Sequence, residues 1–528
     1  MLKRFTDTFE VHLCRRGVWA VERLGLSAPQ ARELGEAEFR RTGVDGLRIV
    51  RVRSSRISGA VTEDVMVERT RTPPPVDAVL GVVDEAPSCR EVDDLLRPAS
   101  RLALHRLFQG WLRSHEAGVT ECLVSPKLLR LLLDNSALIS SALHHVAALQ
   151  SAEGEDPAAA RARLAKLLDA ARAGARDAEA WVIRSIHGDP ALLLEALRHP
   201  GDDTGLWHSC AAVAAYLSPR PTRLAKVEAL VALAGGNEDA RTLHLLDLFL
   251  ADYLMDESIA LELAGRLPFA SDRALWIAAT AVGSRPKSAR APALRRHSFA
   301  EALPELMADG RLPRSGYALL QALDAVLRRD GPLNDGSTGR EQGAVLNLVQ
   351  CLGAGAGFAG GPRLAGRLAQ RFATVAPAAS EDSFLEAVDT IVLGLSDVHV
   401  QARFLLALLS GPNAAARQAG LLAITQRAFS LYGGLKRMAR RAKSLRAAVA
   451  EFDALCMLID QSYVDRETRD GWTRVVLDFL DAAVTARMDS GELTLQQLLA
   501  LAESDLVASK AVRQSLVRRL SRSAGIVG

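Results

Sequence analysis

The chain has 528 residues, 49% of them apolar and only 5% aromatic, and its 65 Lys and Arg against 62 Asp and Glu leave a net charge of +3. That composition excludes a disordered chain and a disulfide-stapled miniprotein, and the length allows several domains or one extended array of helices. No apolar run approaches the roughly 18 to 20 residues of a membrane span, since Leu245–Met255 is interrupted by Asp247 and Asp252.

In chain order, the first 24 residues read as an amphipathic helix; Asp7, Glu10, Arg15 and Arg16 stand where a signal peptide needs an unbroken apolar core, so a cytoplasmic protein is expected. A second short helix starts near Ser27, with Pro29 in its first turn. The stretch LRIVRVRSSRISGAVTEDVMVERT then alternates with a period near two, which predicts two short strands. Residues 1–70 are thus a small mixed α/β region. The prolines of RTPPPVD, Arg71–Asp77, remove backbone donors and hold an extended conformation, making 71–96 the candidate linker.

From about residue 97 the apolar spacing is helical almost throughout. A clear helical stretch begins at Ser125–Leu149, where Ser125 is the expected N-cap and Pro126 the first helical residue. Further helices open on Asp, Ser or Asn and close on Gly or Pro, and about twenty fit in the remainder. The expected class is all-α: an irregular helical-hairpin array, α-solenoid-like, with roughly 35–45 residues per hairpin. Ser284–Arg296 and Arg328–Gly343 carry the residues of loops and divide the array into 97–283, a loop-interrupted 284–343, and 344–528.

Signals for chemistry are weak. Gly355, Gly357 and Gly360, in the Gly-rich loop 353–361, satisfy G-x-G-x-x-G, with Glu381 at the distance of a ribose-binding acid. A dinucleotide site also needs a strand before the glycines, and the preceding AVLNLVQCLG reads as the end of a helix. His187, His199, His208 and Cys210 lie close in sequence without ligand spacing, and adjacent His144 and His145 diverge by about 100° on a helix. Cys14, Cys89, Cys122, Cys210, Cys351 and Cys456 form no C-x-x-C pair, which argues against a disulfide framework or a zinc module. No nucleophile elbow, H-E-x-x-H or P-loop is present. No cofactor or metal is therefore expected, and the balance is against an enzyme.

Charge is the more informative signal. Val398–Ala450 holds nine Lys or Arg and no acid, Arg273–Ala300 six and none, and Leu506–Gly528 five and none, so the rest of the chain carries −17. Within the first window GLKRMARRAKSLR, 434–446, forms on a helical wheel a basic arc of Lys436, Arg437, Arg440, Arg441, Lys443 and Arg446 opposite Leu435, Met438, Leu445 and Val449. Such an arc is either a solvated face or a surface for an acidic partner. The expectation is a non-enzymatic helical-repeat scaffold or adaptor, in a bacterial-style cytoplasm, that binds a protein partner through this face. The alternative is a nucleic-acid-associated protein contacting phosphates through basic helices; a nucleotide-dependent enzyme ranks third.

Overall fold

The computed structural model describes residues 5–523 apart from 16–17, 41–43, 45, 56–60, 71–79, 152–155, 186–191, 194, 196, 198–204, 266, 268, 285–297, 330, 335, 356, 376–381, 412–413, 432–444, 461–463 and 505–506. Among these residues lie 22 α-helices and one four-stranded antiparallel sheet at the N-terminus, so the chain is all-α after a small α/β region. It forms two compact units, and the division falls between Ala229 and Leu230.

The first unit opens with β1 (Phe5–Arg15) and β2 (Val18–Leu26), followed by α1 (Ala28–Phe39), β3 (Gly46–Ser55) and β4 (Val61–Thr70). The sheet order is β2-β1-β3-β4. The two strands expected between 47 and 70 are present, as is the helix after Ser27, whose N–H donates to Gln30 Oε1 at 3.1 Å. The opening helix is not: Phe5–Arg15 and Val18–Leu26 are strands paired antiparallel. Phe9, Val11 and Leu13 recur with period two, and as a strand they reach one core with Leu47, Ile49 and Ala31 of α1. Helix and sheet approach so closely at Gly35 that a Cβ there would lie 2.9 Å from Leu47 Cδ1.

After the proline stretch, of which 71–79 lie outside the described residues, the first unit continues through α2 (Pro98–Ser114), α3 (Val119–Val124), α4 (Pro126–Asp134), α5 (Ser136–Ser151), α6 (Pro157–Ser185), α7 (Leu206–Leu217) and α8 (Arg223–Gly235), inside which the division falls. Ser125 does cap α4, accepting from Leu128 N at 3.4 Å. The helical stretch breaks at Asn135, whose Oδ1 accepts from Leu138 N at 3.2 Å and so starts α5. An ion pair joins α3 to α8: Lys226 Nζ lies 2.7 and 2.9 Å from the Glu121 carboxylate, both side chains being about 95% buried, and it donates also to Glu116 O at 2.7 Å.

The second unit contains α9 (Ala240–Leu254), α10 (Glu257–Ala264), α11 (Ala270–Ala281), α12 (Ala302–Ala308), α13 (Pro313–Leu327), α14 (Thr338–Leu352), α15 (Gly361–Val375), α16 (Ser383–Gly394), α17 (Val398–Leu409), α18 (Ala414–Leu431), α19 (Leu445–Asp460), α20 (Arg466–Asp489), α21 (Leu495–Ala502) and α22 (Lys510–Ser523). Nearly every residue of α9 is buried. The aspartates that interrupt its apolar run are buried with it, and Asp247 receives the backbone N–H groups of Arg314 and Ser315 at the start of α13. The loop expected to run to Gly343 ends at Ser337. Thr338–Gly343 is already helical because Glu341, in the first turn of α14, turns back to accept from Leu333 N and Asn334 N.

Candidate functional site

A polar recess lies where α13 ends, α14 begins and α15 runs past both. Three arginines on α15 follow one another at i, i+4 and i+8, Arg363, Arg367 and Arg371, and so form one column on a single helix face. The last turn of α13 supplies Asp324, 3% exposed, and Arg328 follows just beyond it. Arg328 Nη2 lies 2.5 Å from Asp324 Oδ2, Arg363 Nε 2.9 Å from the same oxygen, and Arg367 Nε 3.4 Å from Oδ1.

Three guanidinium groups therefore share one buried carboxylate, which leaves two positive charges unneutralised at the site. Arg371 adds to this excess: its guanidinium donates to the carbonyls of Arg329 and Gly331, which fix its position and cancel none of its charge. Glu341, the acid on the groove wall, accepts two backbone N–H groups and keeps its negative charge, so the four arginines with Asp324 and Glu341 leave a net excess of two positive charges. Leu333 and Asn334 are in turn pinned to α11, since Ser271 N donates to Leu333 O at 2.7 Å and Ser271 Oγ to Asn334 Oδ1 at 2.6 Å.

The groove lined by Arg328, Arg367, Arg371 and Glu341 has a volume of about 650 Å³, with Thr338, Gln370 and Thr374 offering neutral polar contacts. A smaller recess of about 140 Å³ shares Arg367 and Gln370 with it and reaches Arg363 and Phe384. The arginines remain accessible, at 45% for the side chain of Arg328, 43% for Arg363 and 30% for Arg367. Planar forks held by a buried acid are preorganised to receive a carboxylate or phosphate in bidentate fashion. The lining residues carry the hydroxyls of Thr338 and Thr374 and the carboxylate of Glu341, and no Ser, Cys, Lys or His.

The basic arc expected at 434–446 lies almost wholly outside the described residues: this holds for Lys436, Arg437, Arg440, Arg441 and Lys443, while Arg446 is exposed at the start of α19. Elsewhere in the same window, bases are used internally. Arg417 Nε is 3.0 Å from Asp382, Arg427 pairs with Asp389, and Arg403 Nη1 donates to Gly353 O at 2.8 Å.

The glycines Gly355, Gly357 and Gly360 connect α14 to α15, so a helix stands where the dinucleotide fingerprint requires a strand. Gly360 has φ +80, and a Cβ there would meet Leu364 at 2.6 Å, which accounts for that glycine by backbone conformation. His208 Nε2 lies 3.2 Å from Asp177 and its ring meets Trp181 edge-on. His145 Nε2 donates to Val83 O at 3.0 Å; His187 and His199 lie outside the described residues. No group of three metal-ligating side chains occurs among the described residues, and no described helix is long and apolar enough to cross a membrane.

The groove does not stand out in the sequence because its bases come from helices some forty residues apart and converge only on Asp324. The spacing R-x-x-x-R-x-x-x-R from Arg363 to Arg371 was the signal that could have located it. No family model, no curated protein and no solved structure matches this chain.

Proposed function

We propose that this chain is a non-enzymatic helical adaptor that holds an acidic segment of a partner protein in the groove lined by α13, α14 and α15. The observation that carries this reading is the gathering of Arg328, Arg363 and Arg367 on the single carboxylate of Asp324, with Arg371 alongside. A groove with surplus guanidinium groups lowers the electrostatic energy of an incoming carboxylate chain and steers its approach. The basic arc at 434–446 adds longer-range attraction in this proposal, and the protein works in the cytoplasm. The array reading is supported by a device that recurs in the second unit. Asp247 on α9 receives the N-terminus of α13, and Asp453 on α19 receives Ala508 N and Ser509 N, at 3.1 and 2.9 Å, just before α22.

Phosphate contact with a nucleic acid would draw on the same forks. It ranks second because the lining of the larger recess holds no aromatic ring on which a base could stack. The test is capture of partner protein by the immobilised chain, native against R363Q/R367Q. This variant leaves Asp324 paired with Arg328 and so keeps the buried carboxylate compensated. Capture that is lost while the melting temperature holds supports the adaptor reading; undiminished capture removes the groove from it.

A further inference from the structure

The first unit contains a cavity of a different chemical kind. It has a volume of about 100 Å³ and sits among α2 to α6, walled by aliphatic side chains such as Leu107, Leu129, Ala142 and Leu167 with the ring of Phe108. All of these are more than 90% buried. An engineered void of similar size, about 150 Å³, lined by Leu, Ile and Phe stays dry and takes up benzene.

One side of the cavity is formed by Ala86, Pro87 and Cys89 of a strap, residues 80–91, that has neither helix nor strand. The strap is held by side chains reaching its carbonyls. His145 Nε2 donates to Val83 O at 3.0 Å, Gln150 Nε2 to Pro87 O at 2.8 Å, and an Arg163 Nη to Cys89 O. At its start Gly81 N donates to Leu107 O at 2.9 Å, and the backbones are so close that a Cβ on Gly81 would lie 1.8 Å from Arg106 O.

The polar groups at the cavity edge are already used. Gln150 Oε1 accepts from Arg163 Nη2 at 2.8 Å, and Cys89 Sγ lies 3.4 Å from Ser100 Oγ. Burial pushes the Cys122 thiol far above its ordinary value, so this wall stays uncharged. A water molecule entering here would find few of the two to four polar partners it needs, and an ion would lose its hydration without compensation.

We propose that this cavity is a binding site for one small, uncharged, apolar molecule, a single ring or a short alkyl group, held beside the 80–91 strap. The inference stands apart from the adaptor reading and draws on a different unit of the chain. The test uses the full-length protein and two probes of the same shape, benzene and benzoate. At near-saturating concentration benzene raises the melting temperature by about 2 °C, and benzoate does not. Ala142→Leu fills the space and abolishes the benzene response, and Ala103→Val, a smaller intrusion, reduces it if the leucine variant does not fold. Absence of a benzene response in the native protein, an equal response to benzoate, or an undiminished response in both variants would overturn the proposal.

Discussion

Asp247 takes both donors of Ser315: its Oδ1 accepts the backbone N–H at 2.8 Å and the hydroxyl at 2.6 Å, across 68 residues of chain. Its Oδ2 accepts Arg314 N at 2.8 Å, so one buried carboxylate on α9 satisfies two of the N–H groups that the start of α13 would otherwise leave without partners. Burial raises the Asp247 pKa above the ordinary carboxylate value, and the hydrogen bonds from Ser315 and Arg314 oppose that rise.

Asp247→Ala strands those donors in the interior and is expected to destabilise the second unit by about 2–4 kcal/mol. Asp247→Asn, which keeps one acceptor oxygen, is expected to cost less. Thermal melts of the two variants check the order, and an alanine variant as stable as the native protein would show that water replaces the carboxylate.

The Lys226–Glu121 pair gives a second test. Lys226→Met removes the cation that faces the buried Glu121 carboxylate, at a cost of about 3–5 kcal/mol. The double variant with Glu121→Met removes the carboxylate as well and recovers most of the loss. A double variant no more stable than Lys226→Met would mean that the contact of Lys226 Nζ with Glu116 O, not the ion pair, dominates.

The acid limit of stability is expected to involve His399. Burial, and then the Arg403 guanidinium, lower its pKa below the ordinary 6.5, against the opposing pull of Glu451 and Asp397. The unfolded chain thus binds this proton more readily than the folded one. The contribution is fully present above 6.5 and is lost as the pH falls through the folded value. His399→Gln is expected to flatten the decline of melting temperature between pH 7 and pH 5; an unchanged slope would assign that decline to other groups.

Asp324 restrains the groove that it organises. Asp324→Asn keeps an oxygen for Arg328 and removes the carboxylate that Arg363 and Arg367 face. The expected result is a lower melting temperature together with tighter binding of an acidic peptide, by several-fold at low salt. Weaker binding would mean that arginine position matters more than surplus charge.

Much of the helical part was legible, because apolar spacing and capping residues act over a single turn: Ser125 caps α4 as its sequence indicates. The N-terminal strand pair was misread although Phe9, Val11 and Leu13 alternate, since the charged residues between them fit an amphipathic helix as well as a strand. The groove was not legible as a whole. It depends on Asp324 and Arg363 being brought together from separate helices, and charge counted in windows favours uninterrupted basic runs over arginines arranged around an acid. Asp247 illustrates the same limit: in sequence it only interrupts an apolar run, and its role appears when α13 packs against it.

The most direct measurement is fluorescence anisotropy of a labelled glutamate-rich peptide titrated with the native chain and with R363Q/R367Q, at low and near-physiological salt, with a mixed-sequence oligonucleotide in parallel. Each charge-assisted hydrogen bond is worth about 1.5–3 kcal/mol, so losing two guanidinium groups is expected to weaken peptide binding at least tenfold. The account predicts that loss, together with weaker dependence of both ligands on salt in the variant and tighter native binding of the peptide than of the oligonucleotide. Equal peptide affinity in native and variant proteins at low salt would contradict it.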